Sequence, residues 1–307
     1  MEETPCIRIG HLKIIDHLLL GLASPDCSAI EPIAMNSWEQ LTEALISKKI
    51  DGAFIPAPIA MHLFASGLNI RLLMFVHRAG SIIVKKAHPT LLTLTDFAAK
   101  TVLVPSEMSI QNMLLHRLLS SRGVALGAHD DPDADVAYEA VPPGLMNEMM
   151  ASDTDHDIAG CAMPDPFATT AICDGLAQRI CTTDKLWKTH PCCTFVVAHP
   201  LLQQQAAPLA QIVNAFVRTA KTLELPLEEK FAVQAQSFLD ISRTILDQSL
   251  NKCAIRFDPD LLVPDMAALK TIAAYLKEPM GLLPHEIQLD KLVDSSLIQN
   301  ALSGKLP

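Results

Sequence analysis

Short apolar segments alternate with helix-forming segments along most of the chain before Pro208, and this alternation constrains the fold more than any other feature. Several apolar segments end at a helix-start signal, such as Ser37 followed by Gln40 in the capping-box arrangement. Asp16 is expected in the same way to cap a helix over residues 17–23. Strands that alternate with helices predict an α/β fold with largely parallel sheets. The predicted strands are 7–12, 30–35, 52–55, 70–75, 81–84, 101–104, 157–162 and 194–198.

Beyond Pro208 the pattern predicts helices only, over 209–223, 227–236, 238–248 and 266–276. The chain therefore divides into two α/β blocks followed by a helical tail. The acidic run at 129–135 is interpreted as a solvated loop, because a calcium loop needs closer ligand spacing and a glycine turn.

Composition excludes several classes of function. The 307 residues carry a formal net charge of −10 and only two Trp and two Tyr, so neither a basic stripe nor stacking platforms are available for nucleic acid. No apolar run is long enough for a membrane helix, and residues 1–6 show no export signal. The eight cysteines lack a framework spacing and are expected to be reduced. Cys192 and Cys193 are predicted to face opposite sides of a strand and so not to share a site.

Three junctions have the order strand, proline, helix start, at residues 54–58, 103–109 and 161–166. In open α/β sheets, ligands bind beyond the carboxyl ends of the strands, where helix N-termini present free N–H groups. The second junction adds Ser106, Ser109 and Gln111, and the third adds the carboxylate of Asp165. Known nucleophile, zinc and phosphate motifs are missing, so the sequence favours binding over catalysis.

The order of these residues resembles the nitrate/sulfonate/taurine/bicarbonate class of ABC-transporter substrate-binding proteins. Asp165 stands where that class usually has a glutamate, which shortens the side chain by one methylene. The resemblance covers nearly the whole chain and is carried by residues 9–10, 15–17, 37–38, 51–53, 57–60, 77–81, 164–167, 187, 190–192 and 292–296.

This resemblance implies a type II periplasmic-binding-protein fold, with two α/β lobes, each a mixed sheet flanked by helices, and a helical C-terminal tail. Lobe one would comprise residues 1–87 plus 196–307 and lobe two residues 88–195, with crossings near 85–89 and 192–197. No cofactor, metal ligand or catalytic residue is expected. The residues expected to line the cleft are Asp16, His17, Ser37, Trp38, Ala57, Pro58, Ser81, Ser106, Ser109, Gln111, Asp165 and Pro166.

The implied function is a solute receptor, without turnover, that closes on a small polar molecule and delivers it to an ABC permease and its ATPase. The ligand is expected to be anionic, with Arg78 a candidate counter-charge, and the receptor to be a monomer. It would be periplasmic if a leader precedes this sequence and cytoplasmic otherwise. Two alternatives stay open: an enzyme on the same fold, like those of menaquinone or thiamine-pyrimidine synthesis, and a ligand sensor.

Overall fold

The computed structural model describes residues 6–223 and 226–305, so the leader region considered above lies mostly outside the described residues. Two mixed sheets form the framework, with strand orders β2-β1-β3-β11-β4 and β10-β5-β9-β6-β8-β7. The strands are β1 Ile7–Leu12, β2 Ile30–Met35, β3 Gly52–Pro56, β4 Ile70–Phe75, β5 Ser81–Lys86, β6 Thr101–Val104, β7 Leu126–Gly127, β8 Val136–Ala140, β9 Ile158–Pro164, β10 Ala177–Thr182 and β11 Cys193–Ala198.

Helices cover these sheets and form the C-terminal region, as the sequence predicts. Lobe one here means the five-stranded sheet with its helices, and lobe two the six-stranded sheet with its helices. The helices are α1 Leu18–Ala23, α2 Trp38–Ile46, α3 Ala57–Ala65, α4 Ile110–Ser120, α5 Met146–Ser152, α6 Phe167–Cys173, α7 Leu201–Gln204, α8 Ala206–Thr222, α9 Glu229–Leu239, α10 Arg243–Lys252, α11 Met266–Lys277, α12 Leu289–Leu292 and α13 Ser296–Leu302.

Local capping fixes where two of the site-bearing helices begin. The Ser37 hydroxyl accepts from the Gln40 N–H before α2, and the Ser109 hydroxyl accepts from the Asn112 N–H before α4. Asp16 differs from its predicted role as a cap. It lies within a single 3₁₀ turn, Ile15–His17, and α1 starts after it without a side-chain cap.

Strand β5 does not lie in the lobe predicted for it. It pairs with β9 and β10 in the six-stranded sheet, whereas β11 pairs with β3 and β4 in the other sheet. The chain therefore leaves lobe one over 76–80 and returns over 183–192, instead of near 85–89 and 192–197. These two crossing segments run side by side, with the N–H of Ala79 donating to the carbonyl of His190 at 2.9 Å.

One apolar cluster extends through both lobes, and a smaller one fills the outer side of the six-stranded sheet. The tail also spans both lobes, because α9 packs on α1 whereas α10 packs on α6. Asp240, in the turn between α9 and α10, has a left-handed φ of 59°. Within 6–223 and 226–305, no helix is long and apolar enough to cross a membrane.

Candidate functional site

A chain of buried polar side chains joins the two lobes. Asp16, after β1, lies with one carboxyl oxygen, Oδ2, 3.8 Å from the thiol of Cys192. The Gln111 amide nitrogen, on α4, lies 3.7 Å from the same sulfur and donates to the Ser81 hydroxyl at 2.8 Å. Asp16 belongs to lobe one, whereas Ser81 and Gln111 belong to lobe two. The contacts of Asp16 and Gln111 with Cys192 therefore depend on the relative position of the two lobes. We call these four residues the interlobe polar chain.

Asp165 lies next to this polar chain at the end of β9. Its carbonyl accepts from the N–H of Ile15 at 2.8 Å, which brings it beside Asp16 across the lobes. One carboxyl oxygen, Oδ1, accepts from the Thr169 N–H at 2.8 Å, while the buried Oδ2 has no partner among the described residues. Burial raises the pKa of Asp165 to about 6. A buried carboxyl group with one unpaired oxygen therefore belongs to a residue that lies where the lobes meet.

Two further ligating side chains adjoin Asp16. His77 lies in the first crossing segment with Nε2 3.4 Å from Asp16 Oδ2, and Cys193 begins β11. The ligating atoms of Asp16, His77, Cys192 and Cys193 all lie within 4.8 Å of one another, and all four residues are buried. The prediction that the two cysteines cannot share a site is wrong. Cys192 precedes the strand, so the alternation of strand faces does not govern its direction.

Burial dominates the electrostatics of this cluster. It raises the pKa of Asp16 well above its ordinary value and lowers the pKa of His77 to about 3. The pKa of the Cys193 thiol is raised well above its usual range by the same loss of solvent. These shifts favour the uncharged form of each group in the protein alone.

His17 and Trp38 belong to the interior of lobe one. His17 packs edge-on against Trp38 and Phe54, with ring centroids 5.6 Å apart in both cases. Its Nδ1 accepts from the N–H of Leu12 at 2.9 Å. Burial holds the pKa of His17 well below its ordinary value, so the ring is neutral. This packing makes His17 a support for the loop that carries Asp16.

The other predicted residues position the backbone, cap a helix or line grooves. The Ala57 N–H donates to the Cys192 carbonyl at 2.8 Å, so the start of α3, with Pro58 as its second residue, positions the second crossing segment. Ser37 and Pro166 line a groove of about 600 Å³ between the lobes. Trp38 and Ser106 line another, of about 410 Å³. The hydroxyl of Ser109 is engaged in capping α4 and donates to the carbonyl of Ser106.

Arg78 is engaged elsewhere and does not face the polar chain. Its guanidinium donates to the carbonyls of Leu261 and Thr189 at 2.6 and 3.3 Å, and lies 4.3 Å from the centre of the Phe75 ring. It therefore ties the first crossing segment to the helical tail. Among the described residues, no lysine or arginine forms a hydrogen bond or ion pair with Asp16, Gln111 or Asp165.

The raised pKa of Asp165 predicts a pH-dependent stability. At about pH 3 and below, Asp165 is protonated in both the folded and the unfolded state, so the pKa shift costs no stability. As the pH rises from about 3 to about 6 the unfolded chain ionises first, so the free energy of unfolding falls, by roughly 3 kcal/mol in total. Asp165→Asn removes this titration and is expected to be more stable than the parent protein at pH 7 but equal to it near pH 3.

Urea unfolding at both pH values measures this difference. The charges of Lys252 and Arg179 favour the ionised form of Asp165 and so oppose the effect of its burial. Asp174→Asn, an exposed position at the end of α6, is the matched control and is expected to change little. An effect of Asp165→Asn that is the same at both pH values would contradict the prediction.

Two α/β lobes that meet at a buried polar site, linked by two crossing segments, define the architecture of periplasmic binding proteins. The sequence profile of the NMT1-like family matches residues 20–237, which is more than half of the chain. The protein therefore belongs to the NMT1-like family. No curated protein matches the sequence.

Solved structures of binding proteins and of an enzyme share the fold. The ligand-binding component of an ABC-type import system from Staphylococcus aureus, with zinc bound, superposes with a TM-score of 0.82 at 22% identity, over 97% of this chain and 99% of that one. The periplasmic nitrate-binding protein NrtA from Synechocystis PCC 6803 superposes with a TM-score of 0.84 at 16% identity, over 98% of this chain and 89% of that one. The desulfurization enzyme DSZB superposes with a TM-score of 0.67 at 13% identity, over 98% of this chain and 99% of that one. The predicted two-lobed fold is thus confirmed.

Proposed function

We propose that the protein is a solute-binding receptor whose lobes close on one small polar molecule at the interlobe polar chain. One observation carries this proposal. Three buried side-chain oxygens from both lobes, Asp16 Oδ1, Gln111 Oε1 and Asp165 Oδ2, have no hydrogen-bond partner among the described residues. Buried polar atoms in proteins are nearly always paired, and leaving one unpaired costs about 1–3 kcal/mol. A bound solute that donates to them would recover that cost.

The kind of unpaired atom also favours one chemistry for the solute. Gln111 Oε1 can only accept a hydrogen bond, the Asp165 carboxyl is mostly ionised above its pKa of about 6, and the nearby Arg78 points to backbone carbonyls. An oxyanion bound here would lie against carboxyl oxygens. None of the described residues of this site would supply a positive charge to balance the charge of the oxyanion. We therefore propose a neutral or cationic solute with N–H donors, in place of the anion expected from the sequence.

Closure supplies a mechanism that needs no chemical step. A solute that donates to Asp16 on lobe one and to Gln111 on lobe two is held more tightly by the closed form than by the open one, and so shifts the population towards closure. We propose that a permease with its ATPase recognises this closed, monomeric form outside the cytoplasm, as the fold's import-system members suggest. A sensor would read the same closure through a different partner.

A thermal-shift screen followed by calorimetry tests the proposal. The panel sets small amides, amines and pyrimidines against nitrate, bicarbonate, taurine and alkanesulfonates. We expect a compound with N–H donors, and not the oxyanions, to raise the melting temperature. Gln111→Leu should weaken its binding by at least about 10-fold, because the Oε1 acceptor on lobe two is lost.

Gln299→Leu is the matched control, because Gln299 lies on α13 with its amide engaged by Ser295. It should leave binding unchanged. Binding that is unchanged in Gln111→Leu would place the solute elsewhere. A rise in the melting temperature with oxyanions alone would support the anionic ligand expected from the sequence. Consumption of the ligand by catalytic amounts of protein would support the enzyme alternative, which the buried thiols beside His77 make a specific candidate.

A further inference from the structure

We propose that Asp16, His77, Cys192 and Cys193 bind a divalent transition-metal ion of the zinc type. These four residues, called the quartet below, come from three separate parts of the chain: the 3₁₀ turn after β1, the first crossing segment, and the end of the second crossing segment with the start of β11. Their ligating atoms lie within 4.8 Å of one another. Folding therefore assembles a carboxylate, an imidazole and two sulfurs around one point.

The spacing of the ligating atoms fits tetrahedral coordination. Bonds of about 2.0–2.1 Å to nitrogen or oxygen and about 2.3 Å to sulfur place tetrahedral ligands roughly 3.3–3.8 Å apart. His77 Nε2 and Asp16 Oδ2 are 3.4 Å apart, and Cys192 Sγ and Asp16 Oδ2 are 3.8 Å apart. The quartet therefore needs only small side-chain movements to close on an ion.

The donor set also selects the class of metal. Sulfur and imidazole ligands suit zinc, cobalt and similar ions, whereas magnesium and calcium prefer oxygen alone. Binding replaces the proton of each thiol and of the Asp16 carboxyl by a bond to the metal, and these protons pass to solvent. No change of oxidation state is involved.

Two unpaired atoms show that the quartet is not satisfied by internal hydrogen bonds. Asp16 Oδ1 and His77 Nδ1 are buried and have no partner among the described residues. The nitrogen that would coordinate, His77 Nε2, accepts from the N–H of Cys193 at 3.3 Å and lies 3.4 Å from Asp16 Oδ2, so both of its contacts are long. The Gln111 amide already lies beside the sulfur of Cys192, where it would support a bound thiolate.

An ion at this point would hold together parts of the fold that move differently in a two-lobed protein. His77 and Cys192 belong to the two crossing segments, and Asp16 belongs to lobe one. The quartet is fully buried, so an ion must enter while the lobes are apart or while the chain folds. The metal proposal does not depend on the receptor proposal, because it needs no organic solute.

Cobalt titration of the 307-residue chain tests the metal site directly. The probe is Co²⁺, added without oxygen to reduced protein that has been treated with a chelator and freed of it. We expect one ion per chain, intense visible d–d bands from tetrahedral cobalt, near-ultraviolet thiolate-to-cobalt charge transfer, and displacement of both signals by Zn²⁺. Weak octahedral absorption without charge transfer would overturn the proposal.

Variants assign the signal to the quartet. Cys192→Ser and His77→Gln should weaken cobalt binding at least about 10-fold, and Cys192→Ser should also reduce the charge-transfer intensity. Cys173→Ser and Cys181→Ser, on α6 and β10, are controls expected to match the parent protein. A charge-transfer signal that disappears in a control instead would overturn the assignment. If a quartet variant fails to fold, the spectrum of the unaltered chain still decides between thiolate and oxygen ligation.

Discussion

Gly160→Ala is expected to lower the free energy of unfolding by about 3 kcal/mol or more, or to prevent folding. A Cβ at residue 160 would lie 2.2 Å from the carbonyl oxygen of Val84 and 2.9 Å from Cα of Lys85. These are backbone atoms of the neighbouring strand β5, so they cannot move aside as a flexible side chain would. Because β5 carries Ser81 and β9 leads to Asp165, the same substitution should disturb the interlobe site.

Urea unfolding followed by circular dichroism measures this loss. Gly144→Ala is the matched control, because the nearest atom to its new Cβ is the Phe167 ring at 4.0 Å. We expect the control to stay within about 0.5 kcal/mol of the parent protein. Equal stability of the two variants would mean that β5 and β9 are not paired as described.

Lys86→Met is expected to cost about 3–5 kcal/mol, because it leaves a buried carboxylate without its cation. The Lys86 ammonium lies 2.6 Å from Asp153 Oδ2 and also donates to the Asp153 carbonyl, and both side chains are under 10% exposed. The Asp153 carboxylate further accepts from the N–H groups of Asp157 and Ile158 at 3.0 Å. Loss of the cation therefore affects the start of β9 as well as the end of β5.

A contrast between buried and exposed ion pairs checks this result. Lys230→Met breaks a pair with Glu228 whose side chains are 66% and 69% exposed, and should cost less than about 1 kcal/mol. Lys86→Met combined with Asp153→Asn should recover part of the loss, since asparagine keeps an acceptor but carries no charge. Chemical denaturation measures all three. Equal costs for the two lysine substitutions would show that the Lys86 pair is effectively solvated.

Local sequence signals were sufficient for the strands that are clearly bounded. Strands β1, β2, β4 and β6 match their predicted limits; β1, β4 and β6 are mostly buried, whereas β2 is largely exposed and is bounded by the helix-start signal at Ser37. Strands β7, β8 and β10 went unpredicted. The first has two residues, and the other two are partly exposed, so their apolar pattern is weak. Which sheet β5 joins is decided by β9 and β10, far along the chain, and no local pattern encodes that pairing.

The same limit applies to the candidate site. Gln111 and Asp165 were predicted from their places at a helix start and a strand end, and Asp16 and Ser81 from the family resemblance. The structure brings these four residues together, although their ligand-binding role stays a prediction. His77 and Cys192 were not predicted, because their proximity to Asp16 arises only when the two crossing segments pack against each other. The order His190-Pro-Cys192 was a weak signal for the second of these segments.

The tail helices have a consequence for the rate of solute exchange. Since α9 packs on lobe one and α10 packs on lobe two, separating the lobes must either bend the turn at Asp240 or peel α10 from α6. Either route adds to the opening barrier beyond what the two crossing segments impose. A solute trapped at the polar chain should therefore leave slowly, with a long residence time even where its equilibrium affinity is modest.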